Sequence, residues 1–292
     1  MSNVPVSKRF RSQSLDLHYV DWGGDDLPIL ILLHGGNDHC RSWDRIAEAL
    51  SDRFRVIAPD LRGHGDSGWS NDGHYSITAH VLDLLALYEA LGVETAPILA
   101  HSFGGMVALR FAGLYPAAVS RLILLESAGR FDAEAAWLAT PVEHRITDYF
   151  EKLRKAAASR PRPYASLAEA AARMKERNPR LSDALALHLA DHGTHPGEDG
   201  QRRWKFDPRI RARFPHDISF EERRRLRWQV AAAVLIVDGA EHFGAPDRTP
   251  LDIPGARRDI IAEAGHWPHH DRPDDVIAVI LPFLDQGSLG QG

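Results

Sequence analysis

At 292 residues, with 44% hydrophobic and 26% charged residues, the chain is long enough to bury one large core, and its composition excludes disordered, collagen-like and disulfide-scaffold proteins. A net charge of −5 with interleaved acids and bases argues against a nucleic-acid partner. Cys40 is the single cysteine, the N-terminal segment lacks the apolar run of a secretory signal, and no apolar stretch is long enough to cross a bilayer, so a cytoplasmic protein with no membrane partner is expected.

In chain order, strands are expected near 15–22, 28–34, 54–59, 96–101, 119–126, 230–238 and 258–263. The continuous apolar runs PILILL, RLILLE and AVLIVD suit strands covered on both faces, and hence a mostly parallel sheet. Between these strands, 42–52, 78–92, 104–115 and 274–285 carry apolar residues at three- and four-residue spacing, as in Val81, Leu84, Leu85, Tyr88 and Leu91. These are the crossover helices of an α/β fold. The stretch 130–228 differs: it is rich in Ala, Arg and Glu and interrupted by Pro and Gly, and it reads as a helical cap inserted into a core formed by 1–129 and 229–292. Its charge run Glu221-Glu222-Arg223-Arg224-Arg225 reads as a solvated helix face.

Chemistry enters where Pro97-Ile98-Leu99 runs into Ala100-His101-Ser102-Phe103-Gly104-Gly105 and then into a helix. A strand, a sharp turn and a helix with serine at the apex form a nucleophile elbow, whose close approach demands small residues two before and two after the serine. Ala100 and Gly104 meet that demand, although the usual pattern has glycine where Ala100 stands. A serine hydroxyl needs a base, and His266, in Ala264-Gly265-His266-Trp267-Pro268 beyond a late apolar run, is the candidate. An oxyanion needs backbone donors, and the N–H groups of Gly36, in His34-Gly35-Gly36-Asn37 after an early strand, and of Phe103 are assigned to it. His34 itself is expected to fix this loop by hydrogen bonding, and Arg62 to fix the Asp60–Ser67 turn near the site.

Together, His34-Gly35-Gly36, Asp60-Leu61-Arg62-Gly63-His64-Gly65-Asp66-Ser67, the elbow at Ser102 and Gly265-His266 resemble the α/β-hydrolase superfamily, in the capped arrangement of its serine-hydrolase-like and esterase members. The resemblance covers about two thirds of the chain, reaching into the inserted stretch only at Trp204-Lys205-Phe206-Asp207-Pro208. It implies an eight-stranded sheet and no cofactor.

The acid that should orient the histidine departs from the family pattern, because Gly239-Ala240-Glu241-His242 has histidine where Asp usually stands. Three carboxylates are available: Glu126 after RLILLE, Asp238 after AVLIVD, and Glu241 in the next loop. Some superfamily members, the haloalkane dehalogenases among them, resemble this chain in carrying the acid after the strand that follows the nucleophile helix. Glu126 occupies that place and is preferred.

Other constellations are weaker. His188, His192 and His195 have helical metal-ligand spacing, but Gly193 and Pro196 interrupt the helix, so solvated histidines are expected and no metal is assigned. Cys40 lacks an elbow and is not expected to be a reactive thiolate. The reading is a serine hydrolase acting on a small-molecule ester, thioester or lactone. Carbon–carbon bond hydrolysis and perhydrolase chemistry use the same triad; a non-catalytic ligand-binding protein and a homo-oligomer are left open.

Overall fold

The computed structural model describes residues 4–127, 139–159, 161–212, 215, 218–241 and 253–286. Its centre is an eight-stranded sheet formed by β1 (Val6–Ser12), β2 (Leu15–Asp21), β3 (Ile29–Leu33), β4 (Arg55–Pro59), β5 (Ala96–His101), β6 (Val119–Leu125), β9 (Ala233–Gly239) and β10 (Arg257–Ile261), in the order β1-β2-β4-β3-β5-β6-β9-β10. From β4 to β10 every pairing is parallel, whereas β1 pairs with β2, and β2 with β4, antiparallel. The seven strands expected from the sequence are present. The eighth, β1, escaped because VSKRFRS is a basic edge strand that buries only Phe10 and Ser12, which leaves little apolar signal.

The unbroken apolar runs have a simple cause. In β3, Ile31 and Leu33 face α2 (Ile77–Leu91) and α3 (Ser102–Leu114) through Val81, Leu84, Val107 and Phe111. Leu30 and Leu32 face the opposite layer, α1 (Asp44–Leu50) and the C-terminal helix α9 (Pro273–Asp285), through Ile46, Leu50, Val276 and Ile280. A strand with a helix layer on each face has no polar side, so alternation disappears.

Between β6 and β9 lie α4 (Val142–Ala158), α5 (Leu167–Arg177), α6 (Asp183–Gly193), a short hairpin of β7 (Thr194–Pro196) and β8 (Arg202–Trp204), and α7 (Phe220–Trp228). Tyr164, Ala170, Leu181, Ala186 and Leu189 form a separate small apolar cluster there. The solvated face expected for α7 is only partial: Arg223 and Arg227 are buried, and the helix backbone packs on α3. No helix among the described residues is long and apolar enough to cross a membrane.

The sheet order places the chemistry. The chain leaves β3 toward β4 on one side and returns to β5 on the other, so the loops after β3 and β5 diverge from one point at the carboxyl edge. Such a switch point opens a crevice in a parallel sheet.

Candidate active site

Ser102 opens α3 directly after β5 with φ 49°, in the left-handed region that side chains with a Cβ rarely adopt. Its neighbours show why small residues flank it. A methyl group on Gly104 would lie 2.5 Å from the His34 carbonyl oxygen and 2.6 Å from that of Leu33, so the first turn of α3 rests directly on the end of β3. Ala100 is completely buried and packs in the same layer as Val107, so its methyl is accommodated where glycine is usual.

The loop after β3 lies against the elbow. A Cβ on Gly35 would come 2.7 Å from His101 Nδ1, and one on Gly36 would come 3.8 Å from the Cβ of Phe103. Gly36 is exposed beside the amino end of α3, where backbone N–H groups have no intrahelical acceptor. His34 is fully buried: its Nε2 accepts from the Leu61 N–H at 2.9 Å and its Nδ1 donates to the Gly35 carbonyl at 2.7 Å. Burial holds it neutral, lowering its pKa to about 3. Its two bonds tie the loop after β3 to the chain after β4.

His266 lies between β10 and the short helix α8 (Pro268–Asp271). Its Nε2 is 3.0 Å from Ser102 Oγ, and its Nδ1 is 3.2 Å from Glu126 Oε2. A carboxylate only accepts, so the proton sits on Nδ1 and Nε2 is left to accept from the serine hydroxyl. Glu126, just past β6, also has a left-handed backbone, at φ 48°. Its side chain is fully shielded from solvent, and its other oxygen, Oε1, accepts from the Gly239 N–H at 2.8 Å. A buried carboxylate is tolerated only with such partners.

The other two carboxylates go elsewhere. Asp238 Oδ2 accepts from Arg258 Nε at 2.8 Å and Nη2 at 2.6 Å, and Glu241 pairs at the surface with Arg180. His242 lies outside the described residues.

Three supporting residues were not singled out from the sequence. His101 Nε2 donates to the His266 carbonyl at 2.7 Å, joining the elbow to the histidine loop. Asp271 accepts from the Gly265 N–H at 2.8 Å and from Asn178 Nδ2 at 2.9 Å, joining that loop to the end of α5. The only advance signal was a polar His101 ending an apolar strand; bonds to backbone leave no pattern in a sequence.

Among the remaining candidates only His188 and His192 depart from expectation, being half-buried where solvated side chains were expected. Arg62 forms a buried two-point pair with Asp83 of α2, at 2.6 Å on each oxygen, and so anchors the 60–67 turn to a helix; Asp60 holds the turn itself, accepting from the N–H groups of Cys40 and Asp66. His188 and His192 meet edge to face with centroids 4.7 Å apart, beside Asp44 of α1, while His195 is exposed on β7. Cys40 is buried, and burial pushes its thiol well above the ordinary range, away from thiolate chemistry.

The chain is similar to known proteins in family and fold. The family model described as alpha/beta hydrolase fold matches residues 28–186. A serine hydrolase-like protein of Danio rerio is 29% identical over 280 residues, covering 92% of this chain and 85% of that one. The lipase LipV of Mycobacterium tuberculosis is 35% identical over 133 residues, 44% of this chain and 50% of its own length. Among solved structures, the thioesterase domain from the curacin biosynthetic pathway superposes with a TM-score of 0.83 at 23% identity, over 96% of this chain and 100% of that domain, a likeness of fold alone.

Proposed function

The chain belongs to the alpha/beta hydrolase family, and on that premise we propose that it is a serine hydrolase that cleaves a small-molecule ester, thioester or lactone through an acyl-enzyme intermediate. One observation carries the reading: Ser102, His266 and Glu126 stand in a continuous relay, with contacts of 3.0 and 3.2 Å.

In this mechanism Ser102 Oγ attacks the carbonyl carbon and passes its proton to His266 Nε2. Glu126 holds the imidazole by Nδ1–H and stabilises the imidazolium. The N–H groups of Gly36 and Phe103 receive the oxyanion. Collapse of the tetrahedral intermediate breaks the bond to the leaving group, which takes the proton from His266. Water, deprotonated by the same imidazole, then attacks the acyl carbon, and the new tetrahedral intermediate expels Ser102 Oγ, which takes that proton back from His266 as the acid is released. Residues 130–228 act as a cap over this site. No metal or other cofactor takes part in any of these steps.

The test is a burst assay with p-nitrophenyl acetate and butyrate beside labelling by a fluorophosphonate. The expected result is one label per chain on Ser102, a burst near one equivalent, and loss of both in Ser102→Ala. No burst and no label from the native chain overturns the reading in favour of a ligand-binding protein. Burst and label together, with no net hydrolysis of any ester, thioester or lactone tried, redirect it to carbon–carbon bond hydrolysis or perhydrolysis by the same triad.

A further inference from the structure

Behind the histidine loop lies a group of buried polar atoms that the mechanism above does not use. Asp38 follows the Gly35-Gly36-Asn37 loop, and His269 and His270 lie on α8, three and four residues past His266. Each offers a ligand atom, and the three atoms lie within 4.8 Å of one another. Both ring nitrogens of His269 are shielded from solvent and have no hydrogen-bond partner among the described residues. His269 is 2% exposed. An unpartnered imidazole, one donor and one acceptor, at such depth points to an absent occupant.

The surroundings have the features of a ligand set. His270 Nε2 donates to the Ser42 carbonyl at 3.2 Å, which leaves Nδ1 as a lone pair. Asp38 Oδ1 accepts from the His39 N–H at 2.9 Å, and the Ser42 hydroxyl is within reach of the same carboxyl. His269 is stacked on Trp43, with centroids 4.7 Å apart. Outer bonds of this kind, made here by His270 and Asp38, orient metal-binding groups by their far side, while His269 is held by stacking alone.

Two other clusters of possible ligands lack these features. In His18, Cys40 and Asp60, the Asp60 oxygens already accept from His18, Cys40 and Asp66. In Asp44, His188 and His192, the carboxylate already holds Arg41 and His188.

We propose that Asp38, His269 and His270 bind one divalent transition-metal ion of the zinc type, linking the loop that carries Gly36 to the loop that carries His266. Two imidazoles and one carboxylate suit such an ion, with water in the fourth position. Tetrahedral ligands about 2.0–2.1 Å from zinc stand about 3.3 Å apart, so binding draws the three side chains inward by small rotations. The site is independent of acyl transfer, and its test reads the metal directly.

The experiment is calorimetric titration of the full-length, chelator-stripped protein with Zn2+ alone. One equivalent is expected to bind saturably. Asp38→Asn combined with His269→Gln is expected to weaken it by more than about tenfold, and His188→Gln with His192→Gln to leave it unchanged. No saturable binding overturns the proposal, and so does loss of binding in the 188/192 variant with retention in the 38/269 variant. Should the buried variant fail to fold, the native protein loaded with Co2+ decides: an intense tetrahedral spectrum without a thiolate charge-transfer band is expected. A weak octahedral spectrum, or a thiolate band from Cys40, overturns the site.

Discussion

Glu126 and His266, 140 positions apart in the chain, meet with Oε2 3.2 Å from Nδ1, and the left-handed backbone at Glu126 turns the carboxylate to that point. Parallel register makes the choice informative. Leu125 of β6 pairs with Val237 of β9, so Glu126 and Asp238 end neighbouring strands side by side. Arg258, on the next strand β10, captures Asp238 and leaves Glu126 for the histidine.

Glu126→Gln should therefore lower kcat for an ester substrate by about 10³–10⁴-fold with little change in fold, since the amide cannot stabilise the imidazolium or enforce its tautomer. Asp238→Asn should leave kcat within a few-fold. Steady-state kinetics of both variants decide the matter. A collapse of kcat in Asp238→Asn with Glu126→Gln unaffected would transfer the orienting role to Asp238.

Gly104→Ala should destabilise the protein by about 3 kcal/mol or more, beyond the usual overpacking range, because the new methyl meets two backbone oxygens at 2.5 and 2.6 Å that no rotamer change can move. Urea denaturation measures this. A loss under about 1 kcal/mol would mean that α3 does not rest on β3 as described.

Asp271→Ala should cost about 1–3 kcal/mol, because it strips the acceptor from the Gly265 N–H and from Asn178. The His266 loop would loosen, so kcat should fall more than KM rises. Unchanged kcat alongside reduced stability would confine Asp271 to a structural role.

Stability should fall as the solution is acidified below the ordinary histidine value of about 6.5. Burial lowers His34 and His80 to about 3 each. Unfolding therefore releases them to bind protons, and the stability they contribute is complete above about pH 6.5 and is lost progressively as pH falls toward 3. Each adds a slope of about 1.4 kcal/mol per pH unit inside that window. Denaturation at several pH values should show the slope, and His80→Gln should reduce it by one proton. An identical slope in that variant would contradict the assignment.

The amino-acid order by itself determined the strands β2 to β6, β9 and β10, the helices around them, and the Ser102 elbow. Each of these is written in neighbours along the chain: unbroken apolar runs mark doubly covered strands, and a small-residue turn between strand and helix marks an exposed serine. The strand β1 was hidden because a basic edge strand buries too little to leave a pattern. The resemblance to superfamily members that carry the acid after the strand following the nucleophile helix already favoured Glu126, but residue pattern alone does not separate it from Asp238, each acidic at the end of a buried strand, and only the tertiary structure places one of them against His266. Strand register, one left-handed residue and one arginine on a neighbouring strand separate them. The meeting of Asp38 with His269 and His270 belongs to the same class, because side chains more than 200 residues apart are joined by sheet order and loop path, and neither leaves a trace in local composition.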